Sequence, residues 1–346
     1  MNANDPLPPI DPDPPPTGWP TRRQWLQGAA GAALLAGGIG VPSGASAQGF
    51  ATRPLRMTIA FPPAGATDIL ARTLGESLAA ALGQQVVVDN KPGAGGMIGL
   101  EAAAKSPADG HHLFLCALTN QAIAGHLYPK ATSDITRDFE PVALLASAPH
   151  LLNVNPAVPA KNLREFVAWL KANEGKATYA SQGNGTLSHL EAELLGQRVG
   201  VKLTHVPYRG SSQAVPDLIS GTVPFMFDSV AASIPFIKSG QLRGLAVASS
   251  QRVPTLPDVP TIAEAGVAGY DVDNWFGLYV PKGTPTDIVK QLHAVVARTL
   301  AEPAMIASLV QKGFIVFPGD GARLGQLTAT ERAKWGAVIK AANVTI

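Results

Sequence analysis

Residues 57–68, MTIAFPPAGATD, connect an apolar run to the start of a helical pattern through a turn rich in proline and glycine. The apolar run, residues 57–60, predicts a buried strand. After the turn, leucines recur at every fourth position from residue 70 to residue 82 and mark one face of a helix. Thr67 or Asp68 stands where a helix cap is expected. The stretch therefore predicts a strand, a tight turn and a helix in succession.

A turn of this kind favours the binding of an anion. The first backbone N–H groups of a helix have no partner within the helix, and the helix dipole adds partial positive charge at the same end. Beyond the carboxyl end of a strand these groups face open space and form an anion pocket. The alternative is an ordinary turn that is capped by its own Asp68. One turn does not decide between the two interpretations, but the pattern recurs.

Two further stretches repeat the pattern of strand, turn and helix. Residues 177–189, ATYASQGNGTLSH, contain a glycine-rich loop and then a helix that begins near Thr186. Residues 205–213, HVPYRGSSQ, contain a third such loop, in which Arg209 offers a planar fork suited to a carboxylate. None of the three loops contains a nucleophile with an obvious base. The loops are therefore predicted to hold an anion and not to transform it.

The beginning of the chain predicts export. The residues before Pro20 are rich in proline and are not expected to form a packed element. Arg22 and Arg23 are followed by an apolar run, residues 29–41, and by an A-x-A motif at residues 45–47. These features indicate an export signal of the twin-arginine type, with cleavage near residue 47. The run is too short to span a bilayer, so a periplasmic protein is expected.

Composition limits the function classes. The 346 residues have a formal net charge of +2 and no basic block, so nucleic acid is a poor candidate for a partner. The hydrophobic content of 46% is ample for a large core, and the length of the chain favours two lobes. The single cysteine, Cys116, excludes a disulfide within the chain.

Short apolar runs alternate with helical patterns and predict an α/β fold with mainly parallel sheets. The chain is expected to pass between lobes at Asn155-Pro156 and after Tyr270. Strands are predicted at residues 57–60, 85–89, 113–117, 141–146, 151–154, 177–180, 203–206, 223–227, 242–248, 276–280 and 315–317.

Several motifs that resemble catalytic or cofactor sites are incomplete. The glycines at 183 and 185 are followed by Ser188 where a dinucleotide fingerprint needs a third glycine. The glycine-rich residues 93–96 lack the lysine of a P-loop. His111 and His112 are adjacent, and their side chains diverge, which makes a poor pair of metal ligands. The sequence therefore predicts a protein that is not an enzyme and has no metal or cofactor.

Taken together, the motifs resemble Bug-type receptors, the extracytoplasmic solute-binding proteins of tripartite tricarboxylate transporters. The resemblance covers nearly all of residues 54–320, in order. It rests on residues 60–72, 89–99 (DNKPGAGGMIG), 107–110 (PADG), 138–142 (DFEPV), 179–190, 205–210 (HVPYRG), 256–266 (LPDVPTIAEAG) and 275–278 (WFGL).

The resemblance implies a type II periplasmic-binding-protein fold, in which two α/β lobes enclose a ligand cleft. Lobe 1 is expected to comprise residues 54–154 and 275–346, and lobe 2 residues 155–274, after the leader and signal at residues 1–47. The ligand is expected to be a small carboxylate held without metal or cofactor. Membrane subunits of such a transporter are possible partners, and a monomer is expected.

Each loop receives a role from its residues and from the resemblance. The first loop is expected to present N–H groups and the Thr67 hydroxyl to one carboxylate, with Asp68 as a helix cap. Asp228 is predicted either to select an amino, amide or hydroxyl group of the ligand or to cap a helix. The predicted ligand-binding residues are Phe61, Gly65, Ala66, Thr67, Asp68, Ser181, Gly183, Thr186, His189, Tyr208, Arg209, Ser211 and Asp228.

Two departures from the family pattern affect this prediction. Residues 64–67, AGAT, stand where the family usually has paired glycines and then Pro-Ser, and the added methyl groups should narrow the anion pocket or alter its bound water. His111 and His112 replace the usual Tyr-Thr, which matters for a strand and not for the ligand. Two other classes stay open: an exported enzyme that acts on small organic acids, and a ligand-sensing receptor for a signalling partner.

Overall fold

The computed structural model of the protein describes residues 50–342 and 344–345. The predicted leader and export signal, residues 1–47, lie outside the described residues. In the part of the chain that is described, no helix is both long and apolar enough to cross a membrane.

Strands and helices alternate along the described chain, as the sequence predicts. In order, they are β1 (Leu55–Ile59), α1 (Ala66–Leu82), β2 (Val86–Asn90), a 3₁₀ turn (Ala94–Gly96), α2 (Met97–Ala104), β3 (His112–Ala117), α3 (Leu118–Leu127), β4 (Phe139–Ser147), β5 (His150–Val154), α4 (Leu163–Ala172), β6 (Thr178–Ser181), α5 (Leu187–Val199), β7 (Thr204–Pro207), α6 (Ser211–Ser220), β8 (Phe225–Ser229), α7 (Val230–Lys238), β9 (Arg243–Val247), β10 (Trp275–Pro281), α8 (Thr286–Ala301), α9 (Pro303–Gln311), β11 (Ile315–Asp320) and α10 (Gly321–Ala342).

The strands form two sheets with related topologies. The first sheet has the order β2-β1-β3-β10-β4-β11, and the second has the order β7-β6-β8-β5-β9. β1 is parallel to β2 and β3, and β6 is parallel to β7 and β8. The loops after β1, β3, β6 and β8 therefore leave the carboxyl ends of their strands, where α/β sheets bind ligands.

The prediction of mainly parallel sheets is wrong. β10 is antiparallel to β3 and β4, β11 to β4, and β5 to β8 and β9. β5 enters the second sheet directly after β4 of the first sheet, and β10 returns from the second sheet to the first. Neither follows a crossover helix, which a parallel connection requires.

The chain first changes sheets at residues 148–149, between β4 and β5. The predicted crossing at Asn155-Pro156, and with it the division of the lobes at residue 154, lies after β5 and would leave this strand in the first sheet. All five residues of β5 are buried, so its apolar pattern contains no signal for one sheet over the other.

Two helices connect the cores of the two sheets. Leu324, near the start of α10, packs in the first core, whereas Trp335 further along the same helix packs in the second. α3 behaves in the same way, with Leu118 in the first core and Ile123 in the second. The predicted range 275–346 for lobe 1 therefore ends in a helix that packs on both lobes.

Candidate functional site

The loop between β1 and α1 presents an open helix start. Gly65 is the residue before the first helical position, Ala66, and no side chain caps the helix there. The helix thus begins just before the cap that is predicted at Thr67 or Asp68. The leucine face that follows is buried in the first core, as predicted, apart from the partly buried Leu82. The first N–H groups of α1 are therefore free of an internal cap.

Asp68 lies behind this loop. Its carboxylate accepts hydrogen bonds from the Ala64 backbone N–H at 3.1 Å, from Arg72 Nε at 3.0 Å and from Asn90 Nδ2 at 3.0 Å. Burial opposes its charge, but these hydrogen bonds and the charge of Arg72 lower the pKa of Asp68. Asp68 therefore stabilises the turn as an ionised group, and its oxygen atoms are engaged away from the cleft.

A small cavity, the inner chamber, lies between the open start of α1 and the second sheet. Its volume of about 10 Å³ is room for roughly one water molecule. No lining residue is charged. The inner chamber is lined by Phe61, Pro62, Gly65, Ala66, Thr67, Asn120, Gln182, Gly210, Ser211 and Asn274. Five of these ten residues belong to the predicted set.

A second cavity, the outer chamber, adjoins the inner one and shares Phe61 and Gln182 with it. Its volume is about 310 Å³, and its lining includes the predicted residues Gly183, Tyr208 and Arg209. Arg209 is exposed, and no carboxylate of the described chain forms an ion pair with it. Among the residues that line the outer chamber, Arg209 therefore carries the one charge, which is positive.

The two sides of the cleft are in contact. Gly210 has φ +124°, and a Cβ atom placed there would lie 2.3 Å from Cγ of Pro62 in the first loop. Tyr128, the residue directly after α3, donates a hydrogen bond of 3.0 Å to the carbonyl oxygen of Asn184 in the second loop. The loops on the two sides of the cleft thus touch, and the cleft is called closed in this arrangement.

Asp228 stands behind the inner chamber at the end of β8. Its Oδ1 atom accepts hydrogen bonds from Gln182 Nε2 at 2.7 Å, from Ser211 Oγ at 2.9 Å and from the Ser229 backbone N–H at 2.7 Å. Burial raises the pKa of Asp228, whereas nearby His150 and these hydrogen bonds act in the opposite direction. Asp228 therefore orients two residues that line the cleft without lining it itself.

Ser181 and Thr186 shape the second loop from within. Ser181 Oγ lies 2.6 Å from His205 Nε2 and accepts a hydrogen bond from the Gly183 backbone N–H. The Thr186 hydroxyl donates to the carbonyl oxygen of the same glycine at 2.7 Å. Neither residue lines the inner or the outer chamber.

His189 also belongs to the buried layer. Its ring stacks on His205 at 4.0 Å, and its Nδ1 atom faces the Gly185 backbone N–H at 3.3 Å. Burial lowers the pKa of His189 to about 4 and that of His205 to about 3, so both rings are neutral near pH 7. His189 stabilises the loop and offers no cation to an anion.

The start of α5 differs from that of α1. The backbone N–H of Leu187 donates a hydrogen bond of 2.9 Å to Oδ1 of Asn120, a buried residue on α3. The expected second anion site at this helix start is therefore filled by a side chain from 67 residues earlier in the chain. The helix start after the first turn is thus uncapped, whereas the helix start after the second turn is capped by Asn120.

The geometry of this site bears on two kinds of chemistry, attack by a nucleophilic side chain and binding of a metal ion. The contact between Ser181 and His205 joins a hydroxyl to an imidazole, but Ser181 is fully buried and out of reach of a substrate. Within the described residues, no group of three or more His, Cys, Asp or Glu side chains could hold a metal ion.

Three polar residues of the inner chamber, Asn120, Gln182 and Asn274, were not predicted from the sequence. Asn120 follows β3 just as the first loop follows β1, so its place after a buried apolar run is a signal that could have identified it. Gln182 lies within the glycine-rich loop between two predicted residues. Asn274 directly precedes β10 and has no local motif.

The chain is similar to a family of transport receptors. A family model described as "Tripartite tricarboxylate transporter family receptor" matches residues 70–344. BugT of Bordetella pertussis is 34% identical over 316 residues, which cover 91% of this chain and 96% of BugT.

Solved structures show the same similarity. A protein of R. palustris solved with adipate has a TM-score of 0.82 and 33% identity, covering 85% of this chain and 98% of its own. MatC of Rhodopseudomonas palustris, with bound malate, has a TM-score of 0.79 and 33% identity, covering 83% and 99%.

Proposed function

Since the chain belongs to the tripartite tricarboxylate transporter receptor family, we propose that its cleft captures a small carboxylate for transport. The chain is a solute-binding receptor with the fold of the periplasmic binding proteins. The observation that supports a carboxylate is the uncapped start of α1, which faces an inner chamber without any charged lining residue. Unpaired N–H groups and the helix dipole there favour a bound anion.

The opposite wall of the inner chamber favours a hydrogen-bond donor on the ligand. Gln182 Nε2 carries two hydrogen atoms and donates them to Ser211 Oγ and to Asp228. The Ser211 hydroxyl also donates to Asp228. The remaining capacity of Gln182 and Ser211 is therefore that of acceptors. A hydroxyl or amino group near the carboxylate fits this wall, and Asp228 selects it indirectly.

The outer chamber suits a second anionic group. Its lining contains one charged residue, the exposed Arg209, and it adjoins the inner chamber through Phe61 and Gln182. Adipate and malate, found in two similar structures, each have two carboxylates. We therefore propose a dicarboxylate with one end at α1 and the other at Arg209, and the inner chamber, which has room for about one water molecule, has to widen to admit the first end.

Arg209→Ala should weaken the binding of a dicarboxylate by up to about fivefold, because an exposed ion pair contributes roughly 0.2–1 kcal/mol. Titration calorimetry with adipate and with a monocarboxylate of similar length measures the effect. Lys238→Ala, which removes an exposed cation of α7 away from both chambers, is the matched control. Equal weakening of both ligands by Arg209→Ala would contradict a second carboxylate at this position.

Export and partners follow from the same proposal. The twin-arginine signal at Arg22 and Arg23, with cleavage near Ala47, would deliver the receptor to the periplasm. There it would meet the membrane subunits of its transporter. Amino-terminal sequencing of the mature protein tests the predicted cleavage.

The carboxylate function is tested with a panel of mono- and dicarboxylates, with and without hydroxyl or amino groups. At least one member should raise the melting temperature and bind with micromolar affinity, and mass spectrometry should recover it unchanged. Such affinity corresponds to about −8 kcal/mol, which requires several loops to engage one ligand. A panel without any binder, or a ligand that is converted, would refute the proposal.

A further inference from the structure

A chain of buried hydrogen bonds links a histidine and glutamate pair to the inner chamber. His150, the first residue of β5, lies 2.6 Å from Oε2 of Glu191 through Nδ1 and 3.3 Å from Nδ2 of Asn274 through Nε2. Asn120 Nδ2 donates to Oδ1 of Asn274 at 3.3 Å, and Oδ1 of Asn120 accepts from the Leu187 N–H. All four side chains are buried.

The backbone N–H of Leu187, at the end of this chain, fixes which atoms donate and which accept in every other hydrogen bond of the chain. Leu187 N–H can only donate, so the atom of Asn120 that faces it is the oxygen. The amide nitrogen of Asn120 therefore faces the oxygen of Asn274, whose own nitrogen faces the ring of His150. Nε2 of His150 must then accept, which leaves the ring proton on Nδ1 for Glu191. The hydrogen bonds of the closed cleft therefore require His150 to be neutral, with its proton on Nδ1.

Asn120 and Asn274 each keep one donor for a ligand. An amide nitrogen carries two hydrogen atoms, and each of these two nitrogens makes one hydrogen bond within the described residues. Both residues line the inner chamber, as does the uncapped start of α1. Their orientation thus decides whether donors or acceptors face a bound carboxylate.

We propose that His150 is a positioning residue of the ligand site, which holds Asn274 and Asn120 in the one orientation that closes the cleft and offers their amide N–H groups to the carboxylate. The inference deepens the proposed capture of a carboxylate and rests on it.

Protonation of His150 would dismantle this arrangement. With a proton on Nε2, two donors face each other across the 3.3 Å contact with Asn274. If Asn274 turns its oxygen to the ring, its nitrogen faces that of Asn120. If Asn120 turns in response, its nitrogen faces the N–H of Leu187. Every arrangement leaves one buried pair of donors, so the contact between α3 and α5 opens.

The charges around His150 oppose the neutral form. Burial lowers the pKa of His150, but Glu191 on α5, with Asp228 at the end of β8 and Asp273 before β10, outweighs burial and raises it. Closing the cleft therefore competes with proton uptake. Carboxylate affinity should therefore fall as the pH falls and His150 takes up a proton.

The positions of His150 and Asn274 in the fold agree with this role. His150 directly follows the crossing at residues 148–149, and Asn274 directly precedes β10, where the chain returns to the first sheet. Both segments that join the sheets therefore contribute to one hydrogen-bond chain. A hinge rotation of one sheet against the other would be absorbed in these two segments.

Two variants of His150 separate positioning from folding. His150→Gln keeps an acceptor for Asn274 and a donor for Glu191 but does not titrate, so it should bind adipate or malate at high pH like the natural protein. His150→Leu removes the acceptor and should bind about tenfold more weakly at all pH values. His126→Gln, on the far part of α3, is the matched control.

Calorimetry between about pH 6 and about pH 8, where the carboxylates of adipate and malate stay largely ionised, gives the dependence of affinity on pH. The natural protein should lose affinity by about tenfold per pH unit below the transition, as one proton requires, and His150→Gln should show a flat profile. A flat profile of the natural protein, or equal behaviour of the Gln and Leu variants, would overturn the inference. Absence of binding at all pH values would instead refute the carboxylate function.

A second measurement does not need a ligand. Nitrogen NMR of the histidine rings should find the proton of neutral His150 on Nδ1, with the resonance assigned from its loss in His150→Gln. Asn120→Leu, which breaks the chain, should raise the pKa of His150, because closure no longer opposes protonation. A neutral ring with its proton on Nε2, or an unchanged pKa in Asn120→Leu, would overturn the inference even if no carboxylate binds.

Discussion

Gly210→Ala should weaken carboxylate binding by about tenfold to about 100-fold while leaving the protein folded. The new Cβ atom would lie 2.3 Å from Cγ of Pro62 and 2.7 Å from its Cδ. Overpacking of this kind costs roughly 1–3 kcal/mol, and here the cost falls on the closed state, in which the two loops touch. The open cleft relieves the clash, so the variant should favour it.

Small-angle scattering and calorimetry test this expectation together. The variant should have a larger radius of gyration than the natural protein at the same ligand concentration. Gly266→Ala is a close control, because Gly266 has φ +111° and no atom within 4 Å of an added Cβ. It adds a similar backbone strain without a clash between loops. Normal closure and affinity in Gly210→Ala would show that Pro62 and Gly210 separate when ligand binds.

Local sequence predicted the elements well. Residues 57–60 are apolar and precede a leucine pattern, and β1 and α1 follow with small shifts at their ends. β5 shows where this reasoning ends, because a strand buried on both faces packs equally well in either sheet. Its assignment depends on the crossing at residues 148–149, which contains no glycine-rich turn or charge run. Sheet membership is a property of tertiary packing.

The site was less predictable, for a physical reason. The turns before α1 and α5 look alike in sequence, and each predicts free N–H groups. The difference is Asn120, which caps α5 from another helix and leaves α1 open. A hydrogen bond between residues 67 positions apart has no local signal. Ser181 and His189 were predicted as ligand contacts because they lie in the turn before α5. In the structure both support this turn from its buried side.

Asp228→Ala should reduce both stability and affinity. The buried carboxylate accepts hydrogen bonds from Gln182, Ser211 and the Ser229 backbone, and alanine leaves these donors without their acceptor. Each buried donor without a partner costs roughly 1–3 kcal/mol, so a loss of about 3 kcal/mol in the free energy of unfolding is expected. Gln182 and Ser211 also lose their orientation toward the inner chamber, and affinity should fall about 100-fold.

Asp228→Asn separates the two effects, because an amide oxygen can accept from the same three donors and should keep affinity within about tenfold of the natural value. Urea unfolding and calorimetry are the measurements. Asn153→Ala is the matched control: Asn153 is fully buried in the same sheet, and its amide donates to Leu151 and Ser233, away from both chambers. That variant should lose stability and keep its affinity. If Asp228→Ala also kept its affinity once folded, Asp228 would stabilise the second lobe alone and would not orient the wall that recognises the ligand.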